Sequence, residues 1–198
     1  HRHPVCGVYV LHGENITVEN NQIQDNGRRV PGTGLAGHRA GIALQLVGRK
    51  LFGSDGAGAP DLSQPAARVR GNTVLQPAGR ALQIHGTGPI FVEGNVLVSE
   101  GLAGLNSDQM LYAAHCVEIQ NLGQSSDLVQ EGIIPAAIAL FPSPPLLLDA
   151  TVTDPALVDG RILFTDNVVR FNPVPGAADD VFCLNRLQSY AHVAVLNN

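Results

Sequence analysis

Apolar and variable residues alternate in five short stretches, and each alternation breaks at the same kind of place. The stretches are residues 16–23 (Ile-Thr-Val-Glu-Asn-Asn-Gln-Ile), 67–74, 90–97, 162–169 and 193–198. In each, two apolar positions spaced by two are followed by Asn20, Gly71, Gly94, Asp166 or Asn197. An asparagine comes next: Asn21, Asn72, Asn95, Asn167 or Asn198. Two positions further, four of the copies place Ile23, Val74, Leu97 or Val169. A spacing of two is the strand period, with the apolar positions on one face. From Val18 to Asn21 the step is three, so parity breaks and a corner is predicted there. Asn, Gly and Asp are the residues that best tolerate left-handed backbone, so each copy is expected to bend sharply before its asparagine.

That asparagine then lies on the inner side of the bend. A buried carboxamide costs about 1–3 kcal/mol if unpaired. Stacking one copy on the next removes the cost, because each carboxamide can bond to its equivalents above and below, as in cross-β ladders. The sequence therefore predicts a structural ladder of Asn21, Asn72, Asn95, Asn167 and Asn198. A second strand signature precedes most copies: Gly7–Val10, Gly41–Leu44, Ala81–Ile84, Ala137–Leu140 and Asp180–Cys183. One repeat thus holds a strand, a loop, a second strand, the asparagine corner and a short third strand. The shortest interval, Asn72 to Asn95, is 23 residues, and fixed periods of that order mean a solenoid. Longer intervals imply inserted loops or a repeat that lacks the signature. The stretch Val117–Asn121 reads as such a degenerate copy, its asparagine one position early.

On these motifs, which cover most of the chain, the sequence resembles the right-handed parallel β-helix proteins of the pectate-lyase-like superfamily. These include pectate lyases, polygalacturonases and phage tailspikes. The fold class expected is all-β: a right-handed parallel β-helix (solenoid) with an Asn ladder and inserted loops. Leucine-rich repeats share part of the spelling. They add an apolar residue three before the first strand position, where this chain has Gly13, Gln64, Thr87, Asp159 and Tyr190. With no helical stretch between copies, the β-helix is preferred.

The 198 residues suit one domain, residues 1–198, read as a segment of a longer protein because no capping helix is visible at either end. Only 15% of residues are charged, and 44% are hydrophobic. No apolar run reaches 18 residues, so no membrane span is expected. Cys6, Cys116 and Cys183 show no metal spacing and read as small core residues. Residues 1–80 hold nine Lys or Arg against five Asp or Glu, and residues 81–198 hold three against twelve. One end of the stack is therefore expected to be basic and the other acidic.

Function on a solenoid is usually carried by loops inserted on one face. The loops near residues 27–40 and 48–66 carry Arg28, Arg29, His38, Arg39, Arg49 and Lys50. These form the candidate ligand-binding set, a basic lip for a carboxylate or sulfate. Gly32–Gly37 spells a glycine-rich run but lacks the strand and helix that a dinucleotide fingerprint needs.

The catalytic signatures of pectate lyases are missing. Asp179-Asp180 and His85-Gly86 echo polygalacturonase elements in reversed order. The outward acids Glu19, Glu93 and Glu118 form either a stripe or a solvated strand face. No catalytic residue, metal site or cofactor is assigned. The seven His are scattered, Trp is absent, and no basic stripe with aromatics points to nucleic acid. Expected partners are flanking coils or other subunits at both ends of the stack, and a polysaccharide.

The resemblance implies a non-catalytic structural, display or assembly segment of a larger bacterial or phage-type protein. Its alternatives are a polysaccharide lyase or glycoside hydrolase, and a carbohydrate-binding spike module. An extracellular or particle-associated setting is compatible with any of these, and the compartment stays open.

Overall fold

A computed structural model of the chain describes residues 6–26, 40–48, 64–76, 79–100, 115–121, 160–172, 183–189 and 192–198. Fourteen strands and no helix lie within them, so no helix there is long and apolar enough to cross a membrane. The chain passes through three sheets in turn. The first circuit is β1 (Val8–Glu14), β2 (Ile16–Glu19) and β3 (Gln22–Gln24). The second is β4 (Ala40–Gly48), β5 (Ala67–Arg70) and β6 (Thr73–Gln76). The third is β7 (Arg80–Thr87), β8 (Ile90–Glu93) and β9 (Val96–Ser99). The fourth is β10 (His115–Asn121), β11 (Ile162–Thr165) and β12 (Val168–Phe171). β13 (Cys183–Gln188) and β14 (Val193–Leu196) follow.

The first sheet runs β1-β4-β7-β10-β13, the second β14-β11-β8-β5-β2 and the third β12-β9-β6-β3. Every pairing is parallel. Three parallel sheets entered in turn by successive circuits are compatible with a parallel β-helix.

Register explains why equivalent positions in the repeats carry equivalent residues. Val18, Val69, Val92, Phe164 and Val195 align across the second sheet. Ile23, Val74, Leu97 and Val169 align across the third. Except for Val195, which is exposed, and Val169, which packs against its edge, they join Ile42, Leu44, Leu82, Ile84, Val117 and Ile119 of the first sheet in one apolar core. Strands buried this way need few charges, which accounts for the low charged fraction.

Between the second and third sheets the backbone turns left-handed in every circuit. The φ angles are +56° at Asn20, +62° at Gly71, +61° at Gly94, +54° at Asp166 and +53° at Asn197. A Cβ added at Gly94 would meet nothing within 4 Å. Gly94→Ala is therefore expected to cost about 1 kcal/mol from backbone strain alone. Gly94→Asn should cost less, because Asn occupies the same angles in the first circuit. Urea denaturation of the two variants checks the order; equal losses would point to steric crowding instead.

The asparagines after these bends bond in sequence. Asn21 Nδ2 donates to Asn72 Oδ1 at 3.0 Å, and Asn72 Nδ2 to Asn95 Oδ1 at 3.0 Å. Asn95 Nδ2 donates to Asn167 Oδ1 at 2.8 Å, and Asn167 Nδ2 to Asn198 Oδ1 at 3.2 Å. Each backbone N–H from Asn21 to Asn167 joins the same acceptor that its side chain uses. The remaining amide proton of Asn72, Asn95 and Asn167 goes to the carbonyl of Val18, Val69 and Val92, one circuit back.

One element differs from the sequence reading. Val117–Asn121 is not a degenerate asparagine corner. It belongs to β10 in the first sheet, paired with β7 and β13. Asn121 follows Ile119 by two, so strand parity continues and no corner forms. Its Nδ2 donates to Gly88 O at 2.6 Å. The carboxamide column passes directly from Asn95 to Asn167, and residues 122–159 fall between β10 and β11 of a single circuit. The strand expected at Ala137–Leu140 lies outside the described residues, as do Asp180–Phe182 of the one expected at Asp180–Cys183.

Candidate functional site

Arg28, Arg29, His38, Arg39, Arg49 and Lys50 lie outside the described residues. The site analysis therefore concerns the strands, whose outward columns are fixed by register. On the first sheet one column reads Tyr9, Ala43, Gln83, Glu118, Arg186. Its neighbour reads Leu11, Gln45, His85, Gln120, Gln188. Strand alternation points both columns away from the core. Even so, Gln45, Gln83, Arg80 and Glu118 are each buried to within 5% exposure.

Buried polar groups at that depth must be paired, and here they converge on Glu118. Arg80 Nε lies 2.6 Å from Glu118 Oε2, and Gln83 Nε2 donates to the same oxygen at 3.2 Å. Arg186 Nη1 and Gln120 Nε2 each donate to Oε1 at 3.1 Å. Gln45 Nε2 extends the file by donating to Gln83 Oε1 at 3.1 Å. The carboxylate is held on both oxygens, by one buried and one half-exposed guanidinium and two amides. A general base needs an oxygen that can reach a substrate proton. Both oxygens of Glu118 already have donors within this network.

A second feature sits at the corner column Asn20-Gly71-Gly94-Asp166-Asn197. Two adjacent circuits have glycine there, which leaves a notch open to solvent. The cavity encloses about 470 Å³ and is lined by Arg68, Arg70, Glu93, Thr165 and Asp166 with the two glycines. Arg68 Nε lies 3.9 Å from Glu93 Oε2, and its guanidinium stacks 5.8 Å from the Phe91 ring centroid. Thr165 Oγ1 donates to Asp166 Oδ2 at 3.1 Å.

The outward acids do not make one stripe. Glu19 and Glu93 share a column with Arg70 between them on the second sheet, whereas Glu118 is on the first. The reason is the reassignment of β10. His85 is half-buried between Gln45 and Gln120, and Asp179 and Asp180 lie outside the described residues.

Cys6 is partly buried, and burial pushes its thiol pKa up, offset in part by a hydrogen bond with the Ala40 backbone. A raised pKa leaves little thiolate at neutral pH, so Cys6 is a poor nucleophile. Cys116 is fully buried, its Sγ 3.5 Å from Arg170 O. Among the described residues no three His, Cys, Asp or Glu converge as metal ligands.

Residues 6–26 carry Glu14, Glu19 and Asp25 with no Lys or Arg. Residues 183–189 and 192–198 carry Arg186 and His192 with no acid. Taken by halves, the described residues of 1–80 carry Arg68, Arg70 and Arg80 against Glu14, Glu19 and Asp25, and those of 81–198 carry Arg161, Arg170 and Arg186 against Glu93, Glu100, Glu118 and Asp166, so most of the charges behind the expected polarity lie outside the described residues. The Arg and Lys that gave residues 1–80 their excess come largely from positions 28–50. The search for similar proteins adds no relative to this geometry: no protein-family model, no curated protein and no solved structure matches the chain.

Proposed function

We propose that this chain is a non-catalytic structural stack, a right-handed parallel β-helix of the pectate-lyase-like type that serves as a spacer, display or assembly scaffold. The column of bonded asparagines is its ladder. The single observation that carries the reading is the state of Glu118. It is the one deeply buried acid among the described residues, and both its oxygens are already taken by donors of the same face. A site evolved for acid–base work keeps such a group available to a substrate. Here the polar face of the first sheet is spent on joining circuits to one another. Arg80 and Gln83 on β7, Glu118 on β10 and Arg186 on β13 form one cross-strand network.

The test is a depolymerisation assay on neutral and acidic polysaccharides. The expected result is no release of reducing ends and no unsaturated product. Sustained turnover that Glu118→Gln abolishes would overturn the reading in favour of a lyase or hydrolase. Retention on a sugar array without turnover would favour a binding module instead.

A further inference from the structure

The corner notch carries charge in a definite order along the stack. Arg68 and Arg70 belong to β5, Glu93 to β8 and Asp166 to the turn after β11. These are successive circuits, paired in register. Each circuit advances the stack by about 4.8 Å, so the cationic rung and Asp166 stand about 10 Å apart. The lining sums to zero charge, with two guanidiniums against two carboxylates.

Its charges are unequally engaged. Arg68 is turned onto Phe91 and toward Glu93. Arg70 is exposed and stands in register between Glu19 and Glu93, with no side-chain hydrogen bond or ion pair among the described residues. Asp166 takes one hydroxyl, from Thr165. What remains available is a cation at one end of the notch and an anion at the other, over a floor cleared of side chains at Gly94.

From this we infer that the notch is a binding site for small zwitterions, molecules carrying a carboxylate and a primary amine at opposite ends. The carboxylate meets Arg70 and the amine meets Asp166. A plain anion gains at Arg70 but also faces Glu19, Glu93 and Asp166. A plain cation gains at Asp166 but faces Arg68 and Arg70. Only a ligand with both charges, spaced to match, is favoured at both ends. The volume of about 470 Å³ lies within the range of small-molecule sites. Because the groups are exposed, the binding is weak and falls with ionic strength. This inference stands apart from the structural role proposed above, since a scaffold and a catalyst could each bear such a notch.

The experiment is a low-salt titration of the intact chain with 6-aminohexanoate, followed by amide chemical-shift changes. Hexanoate and hexylamine serve as single-charge controls. The expected result is shifts centred on Gly71, Gly94 and Asp166, and an affinity for the zwitterion at least about fivefold above either control. Arg70→Gln and Asp166→Asn should each remove most of that margin while leaving the rest of the spectrum in place; Asn suits the left-handed angle at 166. Gly94→Asn, which fills the floor with less backbone strain than alanine would bring, should block binding as well. Equal affinity for hexanoate, shifts indifferent to the three substitutions, or no shift at millimolar ligand would each overturn the proposal.

Discussion

Asn95→Ala is expected to lower the stability of the chain by about 4 kcal/mol, far more than removal of the exposed amide at the start of the column. The side chain of Asn95 takes part in five hydrogen bonds. Its Nδ2 donates to Val69 O, Glu93 O and Asn167 Oδ1, and its Oδ1 accepts from the backbone and side chain of Asn72. The residue is 1% exposed, so water does not replace them. Truncation leaves the Val69 carbonyl and the Asn72 N–H without the partners that this side chain supplied, at about 1–3 kcal/mol each, and adds a small cavity. Asn21→Ala is the control. Its Nδ2 donates to Glu19 O and Asn72 Oδ1 from an exposed position, so about 1 kcal/mol is expected there. Urea denaturation gives both numbers, and an unchanged slope would show that the two variants unfold from the same compact state. If the two losses agree within 1 kcal/mol, the column is not a cooperative element of the fold.

The asparagine positions were legible because they obey a local rule with a physical cause. Strand parity, a parity break and a residue tolerant of positive φ recur together, and each constrains one backbone angle or one face. The same rule, applied strictly, rejects Val117–Asn121: Gln120 is not a turn residue here, and Asn121 keeps the parity of Ile119. What local rules cannot supply is register between circuits separated by long insertions. Gln83, Glu118 and Arg186 become neighbours only once β7, β10 and β13 are aligned, across intervals of 35 and 68 residues. The triplets Leu82-Gln83-Ile84, Val117-Glu118-Ile119 and Asn185-Arg186-Leu187 did contain that alignment. It was obscured by reading the middle one as a different strand of the repeat.

The corner notch was less visible still. Gly71 and Gly94 were evident as bend residues, but a cavity is a property of three circuits at once. The basic set at Arg28, Arg29, His38, Arg39, Arg49 and Lys50 rests on sequence alone. The two groups that the strands bring together, around Glu118 and around Gly94, contain none of it.

The second large effect separates the worth of the two guanidiniums on Glu118. Arg80 is buried and Arg186 is about half exposed. A buried ion left without its partner costs about 3–5 kcal/mol, whereas a pair with one exposed member contributes about 1 kcal/mol or less. Glu118→Gln keeps the shape but turns one accepting oxygen into an NH2 donor that faces other donors and removes the charge opposite buried Arg80, so a loss of about 3–5 kcal/mol is expected. Arg186→Gln should cost under about 1 kcal/mol. The double variant Arg80→Met with Glu118→Leu removes both buried charges and should recover most of the stability, because apolar side chains of similar size avoid the desolvation that the pair has to offset. A double-mutant cycle on Arg80 and Glu118, read by urea denaturation, tests this. Strong coupling with recovery in the double variant means that the network is kept for register between circuits rather than for net stability. A double variant that is no better than Glu118→Gln alone would instead make the ion pair itself a stabilising element. A Glu118→Gln variant within 1 kcal/mol of the parent would show that the carboxylate is not the anion on which this face is built.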